Sequence, residues 1–142
     1  MNWKIGGVFI ILFFVFTQGY SISNEDIRSI IDKDTATVED AVLMIASIDN
    51  PDVGKGSIDV QDNWRLRPLK MDDPLNAGRL SIIAIEFKKV HAGILYTITG
   101  FSKYAAESLI YQKIFPPYFS WNRKISGKEL IEFVSAIIDK MD

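Results

Sequence analysis

The chain has 142 residues, of which 48% are hydrophobic, with no cysteine, one histidine and a formal net charge of −2 at pH 7. This length supports one hydrophobic core, and the missing cysteine excludes disulfides, thiol catalysis and cysteine-ligated metals. A mildly acidic chain also attracts nucleic acid or anionic lipid only weakly, so neither is an expected partner.

The N-terminus has the pattern of a secretory signal peptide. Residues 1–4 carry one positive charge, on Lys4, and residues 5–16 are uninterruptedly apolar. That run is shorter than the ~20 apolar residues that a membrane-spanning helix needs. We therefore expect residues 1–20 to be a signal peptide and the protein to be exported, to the periplasm or the outside of a bacterium.

Small residues two positions apart allow cleavage after Gly19 or after Ser21, and the sequence does not choose between them. The alternative is an uncleaved anchor, which would be the one membrane contact of the protein. In either case residues 21–142 are expected to form a single domain.

Helix-start patterns recur in the first half of that domain. Residues 23–26 are typical of a cap, and they precede isoleucines with helical spacing at 27, 30 and 31. Residues 37–40 form a second cap, before an apolar stripe that must end at Pro51. Residues 51–72 show no regular pattern, and Pro68 precludes a long helix there.

The second half predicts one central helix, one short strand and two further helices. Asp73 with Pro74 is typical of a helix start, and a wide apolar face follows it. Residues 94–99 alternate and are β-branched, which predicts a strand paired with residues 56–60. Ser102 begins the next helix, which a proline pair at 116 and 117 stops.

The last helix follows a capping box formed by Ser126 and Glu129, and its apolar positions have helical spacing almost without error. The predicted fold class is thus mainly α: a small multi-helix domain with at most a short two-stranded β element, preceded by a signal peptide helix.

Three of these helix starts resemble one another, at residues 37–42, 74–80 and 125–130. The third is similar to the Ile-Thr-Arg-Ala-Glu-Phe signature of S-layer homology modules, with Ser126 for Thr, Gly127 and Lys128 for Arg-Ala, and Glu129 before Leu130. Residues 104–116 resemble the helix that precedes a Gly-Ile pair in those modules, although Lys113 stands where the glycine is expected.

The resemblance covers residues 35–140 and is closest to degenerate relatives of the family in exported bacterial proteins. It implies binding of a cell-wall polysaccharide through the arginine of the signature and a tryptophan in the preceding segment. Trp64 and Arg79 are the residues that match these roles, with Arg79 displaced along the helix.

The sequence predicts no catalytic, cofactor or metal site. His91 is the one histidine and lies near a predicted helix end, where a dipole partner or solvated residue is the simpler interpretation. The segment from Asp32 lacks the glycine and glutamate of a calcium loop. Paired acids at residues 39–40 and 72–73 stand at predicted helix starts, where carboxylates serve as caps.

Two segments are candidates for ligand binding. Residues 63–67 combine Trp64 with Arg65 and Arg67, a pairing suited to a carboxylate or a pyruvylated glycan. Residues 115–121 place Tyr118 and Trp121 in a proline-stiffened aromatic loop that either contacts sugars or covers the core. The complete set of candidate ligand-binding residues is Trp64, Arg65, Arg67, Arg79, Tyr118 and Trp121.

These features predict a non-catalytic exported envelope protein that binds a cell-wall polymer. The alternative is an accessory subunit that binds an envelope protein, which predicts a large exposed apolar patch. A carboxylate-based hydrolase is the least favoured interpretation, and it requires a cleft with convergent carboxylates.

Overall fold

The computed structural model describes residues 24–50, 58 and 60–141, and within them the protein forms six helices. In chain order they are α1 (Asn24–Ile31), α2 (Val38–Ala46), α3 (Ala77–Glu86), α4 (Ile94–Thr99), α5 (Ser102–Tyr111) and α6 (Gly127–Met141). Two isolated bridges, Thr37 with Pro74 and Asn76 with Lys124, are the extended pairing found in this part of the chain. The predicted mainly α fold is confirmed.

Helix α3 lies at the centre of the core because nearly all of its surface is apolar. Eight of its ten residues are buried, namely Ala77, Gly78, Leu80, Ser81, Ile82, Ile83, Ala84 and Ile85. The buried Ser81 hydroxyl donates a 2.7 Å hydrogen bond to the Ala77 carbonyl, so its burial leaves no polar group unsatisfied. Helix α3 packs mainly against α5 and α2, α6 packs against α1 and α2, and α4 packs against α5.

Reciprocal hydrogen bonds begin α2 and α6, as the sequence predicts. At α2, the Thr37 hydroxyl accepts from the Asp40 N–H at 3.2 Å, and the Asp40 carboxylate accepts from the Thr37 N–H at 3.0 Å. At α6, Ser126 and Glu129 make the same two bonds, each at 3.1 Å. Each pair satisfies N–H groups that the first turn of a helix leaves without an intrahelical partner.

Helix α3 begins later than the sequence predicts. The predicted start at Asp73 and Pro74 is wrong, because Pro74 lies in extended backbone that pairs with Thr37. The N-cap is Asn76, whose side-chain oxygen accepts from the Arg79 N–H at 2.8 Å. This start therefore has the capping side chain of the other two but an arginine where they have a carboxylate.

The segments that lead into α2, α3 and α6 are joined in a closed ring of backbone hydrogen bonds. The Ala36 N–H donates to the Ile125 carbonyl at 2.8 Å, the Leu75 N–H to the Ala36 carbonyl at 2.8 Å, and the Ile125 N–H to the Leu75 carbonyl at 3.1 Å. Each of the three residues directly precedes a capping residue and is fully buried. The weak repeat seen in the sequence is thus also a repeat of backbone geometry.

Helix α5 ends at Tyr111, short of the predicted stop at the proline pair. Lys113 has a φ of 64°, and the Ile114 N–H donates to the Leu109 carbonyl at 2.9 Å, as in a Schellman motif. Lys113 therefore adopts the left-handed conformation that glycine favours, at the position where the S-layer homology pattern has glycine.

Helix α4 replaces the predicted strand at residues 94–99. The Thr97 and Thr99 hydroxyls donate to carbonyls four residues earlier, at 3.0 and 2.7 Å, which satisfies both hydroxyls inside a helix. Tyr96 is the residue of this segment that is buried, so its exposure pattern does not alternate as that of a strand would. Most of the strand's predicted partner, residues 56–60, lies outside the described residues.

The predicted signal peptide at residues 1–20 and its boundary with the domain also lie outside the described residues. Within the part of the chain that the structure describes, no helix is both long enough and apolar enough to cross a bilayer.

Candidate functional site

A cleft of about 500 Å³ opens between the start of α3, the junction of α4 and α5, and the loop before α3. It is lined by Arg65, Pro68, Leu69, Asn76, Arg79, Ile82, Gly100, Phe101, Ser102, Lys103 and Trp121. Three of the six predicted ligand-binding residues, Arg65, Arg79 and Trp121, meet here from separate parts of the chain. The cleft is within the size range of small-ligand sites.

The cleft is positively charged although the chain as a whole is acidic. Its ionisable lining residues are Arg65, Arg79 and Lys103, and none of the described residues that line it is a carboxylate. Glu86, outside the lining, pairs with Arg65 at 3.8 Å, so the excess positive charge comes mainly from Arg79 and Lys103, and such an excess attracts anions. Trp121 and Phe101 add aromatic surface to the same walls.

Arg79 owes its place to the first turn of α3. The Asn76 side chain caps the Arg79 N–H, and the guanidinium Nη1 donates to the Pro74 carbonyl at 2.7 Å. The equivalent positions of the other two helix starts hold Asp40 and Glu129. A cation is unfavourable at the positive end of a helix dipole, so the arginine is the exception among the three starts.

The backbone N–H groups at this helix start are already satisfied. The Gly78 N–H donates to the Trp121 carbonyl at 2.7 Å, and the Arg79 N–H donates to Asn76. The first bond also anchors Trp121 beside the cleft. Attraction of an anion therefore depends on the cationic side chains and not on the end of the helix.

Arg65 is held rigidly at the other side of the cleft. Its guanidinium carbon lies 4.8 Å from the ring centroids of both Trp64 and Tyr96. Its Nη2 donates to the Thr97 carbonyl at 2.8 Å, and its Nη1 lies 3.8 Å from a carboxylate oxygen of Glu86. With only 18% of its side chain exposed, Arg65 is oriented before any ligand arrives.

Glu86, which orients Arg65, is itself held by two hydrogen bonds. Its carboxylate accepts from the Asn63 amide and from the Tyr96 hydroxyl, each at 2.9 Å. Burial, together with the bond to Glu86, raises the pKa of the Tyr96 phenol well above its ordinary value. The phenol therefore remains a hydrogen-bond donor over the physiological pH range.

Sequence reasoning did not find this supporting network. Glu86 follows the apolar run of α3 as an ordinary surface acid would, and Tyr96 fell in a segment predicted as a strand. The one usable signal was Asn63 next to Trp64 and Arg65, since asparagine often organises turns through its side chain. In the structure, the Asn63 side chain accepts from the Arg65 N–H at 2.9 Å.

The other three predicted residues do not line the cleft. Trp64 is 66% exposed and covers the outer face of Arg65. The Arg67 Nε donates to the Gln61 carbonyl at the surface. Tyr118 is exposed and packs edge-on against Phe119, which is buried.

The aromatic loop at residues 115–121 therefore serves two roles. Phe115 and Phe119 pack against Phe133 with ring centroids 4.8 and 5.5 Å away, which covers the core as the alternative interpretation proposed. Trp121 lies at the end of the loop and lines the cleft. The loop thus both contributes to the core and supplies one aromatic side chain to the cleft.

His91 lies elsewhere, at the surface. Its N–H and carbonyl are bonded to the side chain of Gln112, at 3.3 and 2.8 Å. In the described part of the chain, no group of three or more His, Cys, Asp or Glu residues is arranged to hold a metal ion.

The arginine of the S-layer homology signature has no counterpart at the three helix starts. Its position, directly after the capping residue, is occupied by Val38, Ala77 and Gly127, all of which are buried. A Cβ on Gly127 would lie 1.5 Å from the Ile30 carbonyl oxygen, so no side chain fits there.

No protein-family model, curated protein or solved structure matches this chain.

Proposed function

We propose that this protein is a non-catalytic, exported envelope protein whose cleft binds an acidic cell-wall polymer. The observation that carries the proposal is the lining of the cleft, where Arg65, Arg79 and Lys103 meet and no described lining residue is a carboxylate, although Glu86 outside the lining pairs with Arg65. Guanidinium groups bind carboxylates and phosphates in paired hydrogen bonds, and aromatic rings such as Trp121 stack on sugar rings.

The arginine at the start of α3 supports a binding role over a structural one. A carboxylate at its position would complete a capping box like those of α2 and α6. The cation instead opposes the helix dipole, so local stability does not explain it. Residues that break a local rule without a structural gain are typical of functional sites.

The rigid arginine supports the proposal in a second way. Arg65 is clamped between two rings and bonded to a backbone carbonyl, so little side-chain freedom remains to be lost when it meets a ligand. Among the described residues, Arg79 is bonded through one guanidinium nitrogen, to the Pro74 carbonyl, which leaves the other side of the guanidinium available. A fixed and an adjustable cation suit a polymer whose charges repeat at intervals.

Export supplies the setting for such a ligand. The apolar run at residues 5–16 with one preceding lysine is typical of a signal peptide, and the absence of cysteine suits an envelope protein that does not rely on disulfides. A wall polymer with carboxylate, phosphate or pyruvyl groups is the acidic macromolecule that an exported bacterial protein meets.

The test is co-sedimentation of the purified protein with cell-wall sacculi isolated from the organism that makes it. Sacculi are used intact and after extraction of their acidic polymers. Arg79→Glu removes a cleft cation, and Lys128→Glu makes the same charge change in the first turn of α6, outside the cleft. We expect wild type and Lys128→Glu to sediment with intact sacculi and Arg79→Glu to lose at least about tenfold in affinity, about 1.4 kcal/mol.

Two further results complete the test. Binding of the wild type should weaken as salt is raised and should be absent from the extracted sacculi, since the attraction is between charges. If wild type does not bind, or if Lys128→Glu weakens binding as much as Arg79→Glu does, the cleft is not the site and the proposal is wrong.

A further inference from the structure

Helix α4 presents an exposed apolar surface beside the cleft, formed by Ile94, Leu95, Ile98 and Phe101. We call these four residues the α4 surface. Their side chains are 78%, 53%, 73% and 62% exposed, respectively. Four large apolar side chains in eight consecutive residues are more than the scattered exposure of an ordinary protein surface.

The α4 surface is held in place although it buries little itself. Within α4 only Tyr96 is buried, and its hydroxyl is bonded to Glu86. Gly100 ends the helix with a φ of 71°, and α5 begins two residues later. Residues 92–102 contain no charged side chain. The helix is therefore anchored by Tyr96, by the Arg65 bond to the Thr97 carbonyl and by the bond from the Gly93 N–H to Ser108, and it displays its apolar side chains outward.

The surface is continuous with the cationic cleft. Phe101 belongs to the α4 surface and also lines the cleft together with Arg65, Arg79 and Lys103. At the other end of the surface, Ile94 and Leu95 line a separate groove together with Glu107, the acidic residue of α5. The apolar surface therefore meets the positive charges at its Phe101 end.

We infer that the α4 surface docks onto the acyl chains of an anionic amphiphile whose acidic headgroup occupies the cleft. The inference rests on the proposed function and narrows its ligand to an acidic polymer carried on a lipid. The order of groups in such a ligand, apolar chains followed by negative charges, matches the order along the protein, from Ile94 through Phe101 to the cations. The net charge of the whole chain predicts only weak attraction of anionic lipid, but beyond about 8 Å salt screens the distant acidic side chains, so the cations that line the cleft dominate at contact.

Other occupants fit less well. A second copy that paired its own α4 surface with this one would match the apolar side chains, but residues 92–102 contain no carboxylate to meet Arg65, Arg79 and Lys103. The chain's own N-terminal segment continues from α1, which packs against α6, whereas α4 packs against α5. An anionic lipid satisfies both the apolar surface and the cations at once.

The test uses the absence of cysteine, which allows a single labelling site in the full chain. Ile98→Cys carries an environment-sensitive fluorophore on the α4 surface, and Ser29→Cys carries the same label on the exposed side of α1. Both proteins keep the same N-terminal segment, and insertion of that segment alone would affect the label at position 29, which follows it closely in the chain, more than the label at position 98. The probes are vesicles of phosphatidylcholine, alone or mixed with an equal part of phosphatidylglycerol.

We expect the label at position 98 to shift to the blue with the mixed vesicles only, and the label at position 29 to stay unchanged. Adding Arg79→Glu to the Ile98→Cys protein should reduce the shift. Equal shifts with both kinds of vesicle, equal shifts at both labels, or no shift would overturn the inference. So would a shift without vesicles that grows with protein concentration, which would indicate a second copy as the occupant.

Binding to intact sacculi by the same labelled proteins separates the two proposals. If the protein binds sacculi through Arg79 while the label at position 98 does not respond to lipid, the cleft binds a polymer and only the lipid contact is wrong. If the protein binds neither sacculi nor the mixed vesicles, the proposed function is wrong, and the inference about the lipid, which rests on it, is wrong as well.

Discussion

Two of the three equivalent helix starts differ from the third in a single chemical respect. The starts of α2 and α6 each place a carboxylate, Asp40 or Glu129, where it bonds back to the capping residue. The start of α3 has the same ring contact and an equivalent cap, but Arg79 takes the place of the carboxylate. The three starts share the same kind of backbone hydrogen bonds, but the first-turn side chain is negative in α2 and α6 and positive in α3.

This difference separates the features that the fold needs, which all three starts share, from the positive charge that only the start of α3 contributes to the cleft. The ring of hydrogen bonds among residues 36, 75 and 125 needs buried backbone and a cap at each start, and all three starts supply both. It does not need a particular charge in the first turn. In α3 that position carries a cation, Arg79, which lines the cleft.

The largest loss of stability should come from a substitution at Gly127, at the start of α6, where the backbone of α1 lies closest. A Cβ in Gly127→Ala would lie 1.5 Å from the Ile30 carbonyl oxygen, so α1 must move away from α6. We expect a loss of about 3 kcal/mol in the free energy of unfolding, since overpacking outweighs the ~1 kcal/mol gain in helix propensity. Urea unfolding followed by circular dichroism measures it.

Gly78→Ala, at the start of α3, provides the comparison for that variant. Its Cβ would lie 2.8 Å from the Cβ of Ser102, a side-chain atom, and 3.1 Å from the Trp121 carbonyl oxygen. We expect a smaller loss, about 2 kcal/mol. A tolerated Gly127→Ala would show that α1 is not packed tightly against α6.

The next prediction compares how much Asp40 and Arg79 contribute to the free energy of unfolding. Asp40 is buried, and it accepts from the Thr37 N–H and from the Lys33 ammonium, at 3.0 and 2.8 Å. Asp40→Ala should cost about 2 kcal/mol, because hydrogen bonds to charged groups contribute more than neutral ones. Arg79→Ala should change stability by at most about 0.5 kcal/mol.

Thermal and urea unfolding of the two alanine variants, side by side, decides this point. Equal losses would mean that Arg79 is as much a part of the fold as Asp40, and the contrast between the helix starts would have no functional meaning.

A third pair of variants should show what the starts have in common. Asn76→Ala and Ser126→Ala each remove a capping side chain, from α3 and α6. Each should cost about 1 kcal/mol, because a first-turn N–H loses its partner. Similar urea midpoints would support equivalent caps. A neutral Asn76→Ala would indicate that α3 is held by its packing alone.

The sequence predicted these starts well where the signal was local. Capping boxes at Thr37 and Ser126 need only residues three positions apart, and both are present. The start of α3 was placed too early because Pro74 suits a first helical turn equally well. What keeps it extended is the ring contact of the adjacent Leu75 with Ala36, which no local pattern reveals.

The same limit applies to the strand that proved to be α4. Residues 94–99 have strand propensity, but burial of Tyr96 and its hydrogen bond to Glu86 favour the helical form, in which the threonine hydroxyls bond to carbonyls four residues earlier. Tertiary contacts of one side chain thus decided the conformation of a short segment.

Three of the six residues predicted from the sequence to bind a ligand line the cleft. Arg65, Arg79 and Trp121 were identified by chemical type, since arginine and tryptophan suit acidic sugars. Their meeting depends on how α3 packs against α5, which the sequence pattern does not specify. Lys103 and the supporting Glu86 were missed for the same reason, because an ordinary charged residue on a helix gains a role only from its neighbours.

Arg79→Glu should have the smallest effect on stability and is also the most informative variant, because it should raise stability and weaken binding. In Arg79→Glu the new carboxylate can accept from the Asn76 N–H, as Glu129 does from Ser126, and it favours the helix dipole. The bond from Arg79 to the Pro74 carbonyl is lost, but it is exposed and contributes little. We expect a net gain of about 0.5 kcal/mol in the free energy of unfolding, measured by urea titration. A variant that is more stable and yet no longer sediments with sacculi would mean that Arg79 is retained for its ligand, whereas a loss of 1 kcal/mol or more would make it a structural residue.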